Sequence, residues 1–309
     1  MMVQHQSYQN LRSSLRQMRK RKTIIPNNRS LHQYHDKIRA LLSDADTALI
    51  KKEFLKIEKI NGKISQICKK YKKSSILEEN EEAANHSCIL QINSDLIFYV
   101  SQFYKTGYSY QFSASWGNLQ DSLDCCDFLI RTCKKEESEH FEKIRLYLSS
   151  FERLYPFLFV SPGQTIKLIC SICGKEPLDE DCPHIPGNLY WGEIAGYNVT
   201  EIVNVDHVAI IPHPKDKRCV ICIDDNDQKF NNLRELFDNT PRPFTPLHIQ
   251  INKIIRKNSD LASHERMGIC PCQSGLMYDD CCKDKEILEI PHYNYQFGDF
   301  NELISYEII

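Results

Sequence analysis

Apolar positions recur every three or four residues over much of the first half of the chain. Phe54, Ile57, Ile60, Ile64, Ile67 and Tyr71 form one such series, the spacing that lines one face of an α-helix. Residues 31–73 therefore read as helical, with Ser30 as N-cap and Gly62 as a weak point in a single unbroken helix. The polar, acidic stretch from Ser74 to Asn85 reads as a linker, and the apolar segment from Ile89 to Phe103 as a further helix. Two more series follow: Trp116, Leu119, Leu123, Cys126, Ile130 and Cys133, then Phe141, Ile144, Leu148, Phe151 and Tyr155. With only the polar turn Lys134–Ser138 between them, these two helices are expected to pack antiparallel as an αα-hairpin.

The pattern changes after Pro162-Gly163. Thr165–Ile169, Val199–Ile211 and Cys219–Ile223 are β-branched and read as strands, whereas Leu247–Lys257 reads as a helix. Prolines 212, 214, 241, 243 and 246 mark turns.

Composition adds three constraints. No apolar run approaches the roughly 20 residues that span a bilayer, and the polar, basic N-terminus has no apolar core after its charges. A cytoplasmic protein without a membrane partner is expected. Charge is unevenly spread: residues 1–75 carry 18 Lys and Arg against 5 Asp and Glu, and the remainder balances them to a net −2. Arg16, Arg19, Lys20, Arg21 and Lys22 cluster in residues 1–30, read as a flexible basic arm able to meet nucleic acid, an acidic protein partner or the acidic half of this chain. Fourteen cysteines at tight spacings in a reducing compartment point to metal ligands rather than disulfides.

Two clusters carry that chemistry. Cys170-Ser-Ile-Cys173-Gly174 is a CxxC turn in which both thiolates can face one ion while backbone amides point at the sulfurs, and Cys182-Pro183-His184 follows eight residues later. Three Cys and one His make a closed tetrahedral zinc set with no position left for water, which argues against catalysis there. The second set is Cys270, Cys272, Cys281 and Cys282. Two structural Zn2+ ions are expected. The fold class expected is α+β, with an N-terminal helical domain containing the αα-hairpin (31–157) and a C-terminal mixed zinc-stabilised domain (158–260). A second zinc module and tail follow (261–309).

The run Gly268-Ile-Cys270-Pro271-Cys272-Gln273-Ser274-Gly275-Leu-Met-Tyr278-Asp-Asp-Cys281-Cys282 resembles the SEC-C motif, a small zinc-binding module. It shares the CxC-x8-CC spacing, the proline between the first ligands, the Ser-Gly step and the aromatic three residues before the third ligand. The resemblance implies a surface for protein interaction. Gln273 stands where the family has glycine, and Leu276-Met277 where it has a basic pair, which removes the charge a charge-driven partner would use. The stretch Cys170 to Pro214, with Cys182-Pro183-His184-Ile185-Pro186-Gly187, Tyr190, Gly192 and Pro212-His213-Pro214, resembles a cysteine-rich element of phage prohead protease-like proteins. That resemblance implies a zinc-stabilised β unit without the protease core, and by association a role in phage biology or anti-phage defence.

Weaker constellations remain. Cys219-Val-Ile-Cys222 lies in a β-branched run and reads as a core pair, or as a third metal site if His207 or His213 joins it. Val205-Asp206-His207 followed by Asn231-Asn232 resembles an HNH nuclease with His207 as base, although no second histidine or asparagine pair falls convincingly after Leu233. Arg29 and His35 match the spacing of HEPN ribonucleases. Cys125 and Cys126 are expected to pack in the hairpin as small apolar residues. The function expected is that of a zinc-binding adaptor, with no catalytic residues assigned; the two nucleases are the alternatives.

Overall fold

The computed structural model describes residues 29–211, 214–221, 223–245, 247–267, 270–272, 274 and 276–297; the basic arm lies outside them up to residue 28. The architecture is α+β. Helices α1 (Arg29–Ile50), α2 (Phe54–Leu77), α3 (Glu81–Tyr108), α4 (Phe112–Thr132) and α5 (Lys135–Glu152) follow one another, each packing on its chain neighbour. The residues read as one helix over 31–73 are thus two, and the proposed linker at 74–85 holds the end of α2 and the start of α3. Gly62 breaks nothing; the break falls at Lys52, whose φ of 59° turns the chain, as Glu79 (53°) and Tyr110 (56°) do in the next two turns. Ser30 lies inside α1 rather than capping it. Asn80 caps α3 by accepting the Ala83 amide at 2.9 Å, and Glu81 and Glu82 add favourable charge to its first turn.

The apolar series bury as their spacing requires. Ile57, Ile64 and Tyr71 on α2, Leu119 and Cys126 on α4, and Phe141, Ile144, Leu148 and Phe151 on α5 are all buried, and Cys125 joins them. One member of the bundle opposes the rest. Burial pushes the Asp46 carboxyl of α1 up to about 7, and its Oδ1 has no partner among the described residues. The folded state therefore holds this proton more tightly than the unfolded chain, so the contribution to stability is greatest below about pH 4 and is lost as pH rises towards 7. Asp46→Asn is expected to raise the melting temperature at neutral pH and to flatten its dependence on pH. An unchanged profile would show that the carboxyl reaches water.

Past α5 the chain forms β1 (Phe159–Cys170) and β4 (Tyr197–Ile211), a long antiparallel ribbon with register shifts after Gly163, Thr165 and Lys167. Between them lies the small hairpin β2 (Leu189–Tyr190) and β3 (Glu193–Ile194). Helix α6 (Asn231–Asn239) packs on α3. Asp225 reaches the start of α4, accepting from the Ser113 amide at 2.9 Å. Leu247–Lys257, expected as a helix, is strand β5, paired without a shift to β6 (Ile287–Phe297). Among the described residues of 219–223, expected as a strand, only Val220 bridges, to Phe159, with the Val160 amide donating to the Cys219 carbonyl and the Ile221 amide to the Leu158 carbonyl. Phe230, Leu233, Leu236, Phe237, Phe244 and Tyr293 lie in the same buried cluster as the five helices.

Candidate metal centres

Each ribbon carries one cysteine cluster in the loop that joins its strands. In the first, β1 ends on Cys170. The Cys170 amide donates to the Lys175 carbonyl at 2.7 Å and the Gly174 amide returns to the Cys170 carbonyl at 2.9 Å, which closes the CxxC turn. Cys170 Sγ lies 3.6 Å from His184 Nδ1, Cys173 Sγ 3.5 Å from Cys182 Sγ, and Cys182 Sγ 3.9 Å from His184 Nδ1. All four ligand atoms lie within 4.8 Å of one another. A tetrahedral ion with metal–sulfur bonds of about 2.3 Å has edges of about 3.8 Å, whereas a disulfide would bring two sulfurs to about 2.05 Å. The group can hold a metal ion. The Cys173 and Ile172 amides donating to the Cys170 sulfur hold its thiol below the ordinary range, favouring the thiolate a metal needs.

Tyr190 fixes the imidazole: its ring meets His184 edge-on at 4.8 Å, and its hydroxyl accepts from the Ile185 amide at 3.0 Å and donates to the Pro183 carbonyl. The loop is tied to the helices beside it. The Gly192 amide donates to Asn85 Oδ1 at 2.7 Å, and Lys72 Nζ pairs with Glu193 at 3.0 Å. Gly192 has φ +74°, and a Cβ there would sit 2.6 Å from the Ala84 carbonyl oxygen. Gly192→Ala is expected to cost about 1–3 kcal/mol and to release the loop. Faster amide exchange at residues 187–196 with metal retained would show this; unchanged exchange would mean that the backbone shifts without loss.

In the second centre Cys272 Sγ lies 3.5 Å from Cys281 Sγ and Cys281 Sγ 3.6 Å from Cys282 Sγ. Together with Cys270 they form a group closed within 4.8 Å, which can also hold a metal ion. Cys270 and Cys282 are buried with Leu261, Tyr278 and Leu288 in a core of their own. Ser274 Oγ lies 3.1 Å from Cys281 Sγ. Burial opposes ionisation of Cys272, but contacts with Ser274 and the other cysteines outweigh it and bring the thiol down to about 6.

Asn258 organises this loop, and spacing gave no sign of it. Its Nδ2 faces the carbonyls of Cys282, Lys283 and Lys285 at 2.9, 3.0 and 2.8 Å. Its Oδ1 accepts from the Tyr278 hydroxyl at 2.6 Å, and its amide donates to the Glu286 carbonyl. Asparagine directly after a strand was the only available signal. Asn258→Ala should weaken metal retention about 10–100-fold, the usual cost of losing an outer partner of a ligand. Competition with a chromophoric chelator measures this, and equal retention would reduce Asn258 to a turn residue.

The remaining candidates fall elsewhere. His207 sits opposite Gly163 in the β1–β4 ribbon and belongs to neither metal group. His35 stacks on His86 at 5.4 Å, where burial, with His35 second, lowers the His86 imidazole to about 4; Arg29 is the first residue of α1. Cys219 is exposed rather than in the core, where its neighbour Val220 packs instead; Cys222 lies outside the described residues. Among the described residues, no helix is long and apolar enough to cross a membrane.

Fold and sites together define an α+β protein with two cysteine-rich groups able to bind metal. Comparison with protein-family models, curated proteins and solved structures finds no match.

Proposed function

We propose that both clusters hold structural zinc and that the chain is an adaptor, with a SEC-C-like module around Cys270–Cys282 as a protein contact. The observation that carries this reading is the closed ligand set. Each group supplies four sulfur or nitrogen donors at tetrahedral spacing, which leaves no open position for substrate or water. Chemistry supports zinc: thiolate-rich sets with one imidazole at most favour it over magnesium, calcium or manganese. Beside the second centre, Met267, Leu276 and Met277 are exposed, an adaptable apolar surface of the kind used to hold protein partners. The basic arm with Arg16, Arg19, Lys20, Arg21 and Lys22 would add a contact to nucleic acid or an acidic protein.

Elemental analysis of the purified chain should give two zinc ions per molecule, with one lost in Cys182→Ser and one in Cys281→Ser. Redox-active iron in place of zinc would overturn the structural assignment. Capture from cells, with and without nuclease, tests the adaptor. A discrete protein partner should survive nuclease and be lost in Met277→Asp at unchanged zinc content. Capture of nucleic acid alone would move the functional surface to the arm, and metal-dependent nicking lost in His207→Ala, or RNA cleavage lost in His35→Ala, would replace the adaptor with an enzyme.

A further inference from the structure

The β1–β4 ribbon presents one apolar face that none of the described residues packs over. Residues directly opposite in an antiparallel pair lie on the same face. One face is built from Val160 with Ile210, Pro162 with Val208, Gln164 with Val205, Ile166 with Ile202, and Leu168 with Val199. The other carries Ser161, Gly163 with His207, Thr165 with Asn204, and Lys167 with Glu201, the last two joined as an ion pair at 2.6 Å.

The sorting depends on the irregularities. Val199, Ile202, Val205 and Val208 are spaced by three, which in a regular strand would alternate sides. The register shifts pass over Thr200, Val203 and Asp206 in turn, and each extra residue resets the alternation. Three bulges at a period of three place all four side chains together.

These side chains are not packed away. Val199, Ile202, Val205, Val208 and Ile210 are each 54–65 % exposed, and among the described residues neither strand packs extensively on a helix. A two-stranded ribbon with a bare apolar face is marginal alone in water. Its edges are poor places to add a strand: the bulges interrupt β4, and Pro162 brings no N–H to β1. The face is open and the edges are blunted, so a partner is expected on the face.

We propose that this face is the interface of a homodimer, in which two copies stack their β1–β4 ribbons about a twofold axis. The face contains no charged residue in its five paired positions, Gln164 being the one polar side chain, so it offers a charged peptide or an anionic membrane nothing to recognise. It is apolar at both ends, and a twofold through the central Gln164–Val205 pair sets one apolar end against the other, as a self-complementary contact requires. Val199, Ile202, Val205, Val208 and Ile210, each more than half exposed, supply the apolar surface that such a contact buries. Stacking gives a four-stranded sandwich with its apolar side chains inside.

Sedimentation of the full-length, metal-loaded protein over a concentration series tests the dimer. The wild type should be dimeric in the micromolar range, and Ile202→Lys with Val205→Lys should weaken association at least about 100-fold. Metal content and helical circular dichroism should not change. Thr165→Lys with Asn204→Lys, on the opposite face, should leave the dimer intact. A wild type that stays monomeric up to about 100 µM overturns the proposal, as does a dimer that survives the first pair of substitutions or is lost equally in the second. Should the first variant lose metal, amide exchange in the wild type decides: protection of residues 199–208 must rise with protein concentration, and protection independent of concentration assigns the cover to the chain itself.

Discussion

Replacing Cys282 by serine is expected to remove one metal ion and unfold the loop between β5 and β6 while the helices stay folded. A structural zinc site contributes on the order of 10 kcal/mol to local folding, and this loop has little else. Its core consists of Leu261, Tyr278, Leu288 and two of the ligands, Cys270 and Cys282, so loss of the ion also exposes thiols that form the packing. The β5–β6 ribbon would fray from its metal end, where Ile255 and Ile287 are already exposed, and hold at the other end, where Leu247, Tyr293 and Tyr295 pack against the helices. Amide exchange should show residues 258–286 losing protection in Cys282→Ser, and in the wild type with chelator, with the ellipticity at 222 nm almost unchanged. Retained protection after the ion has gone would mean that the loop folds without metal. Parallel loss of the helical signal would mean that the centre supports the whole molecule.

That contrast follows how the chain encodes its parts. The helix faces were legible because burial follows a local period: the series ending at Tyr71, Cys133 and Tyr155 needed no partner to be recognised. Helix ends were not, because Lys52, Glu79 and Tyr110 take positive φ without the glycine or proline that usually signals it. Leu247, Ile249 and Ile251 alternate as a strand should, but Ile254-Ile255 spoils the alternation, and what settles β5 is pairing with β6 beyond the metal loop. Its conformation is therefore a non-local property. Strand β4 was visible in its β-branched composition, although its apolar face depends on bulges that leave no mark in hydropathy. Ligand groups are the opposite case. Short spacings tie Cys170 to Cys173 and Cys281 to Cys282, and the geometry brings together the same two groups of four. Asn258 carried no signal in its spacing, and Tyr190 stood in the Cys170–Pro214 motif without a role, because an outer support is recognised only by what it touches.

The second large effect is expected at Phe237, where α6 enters the helical core. Its ring packs edge-on against Phe103 at 5.6 Å and Tyr108 at 5.8 Å, and it is fully enclosed. Gly107 makes this possible, since a Cβ at that position would overlap the Phe237 ring. Around it, a hydrogen-bond relay joins backbone to backbone: the Phe244 amide donates to the Tyr104 hydroxyl at 3.2 Å, Tyr104 to Tyr147 at 2.9 Å, and Tyr147 to the Thr245 carbonyl at 3.0 Å. Every member is satisfied, so residues 237–245 are held by α3 and α5 through both packing and polar contacts. Phe237→Ala is expected to cost about 3–5 kcal/mol, a large share of the roughly 5–15 kcal/mol that holds a domain folded, and to lower the melting transition of the helices together with that of α6. Gly107→Ala should be severely destabilising in the wild type yet much milder in Phe237→Ala, where the space is free, so a double-mutant cycle should give a coupling of about 1–3 kcal/mol. Additive effects would show that α3 and α6 do not share this contact. A helical transition left untouched by Phe237→Ala would make α6 an appendage rather than part of the core.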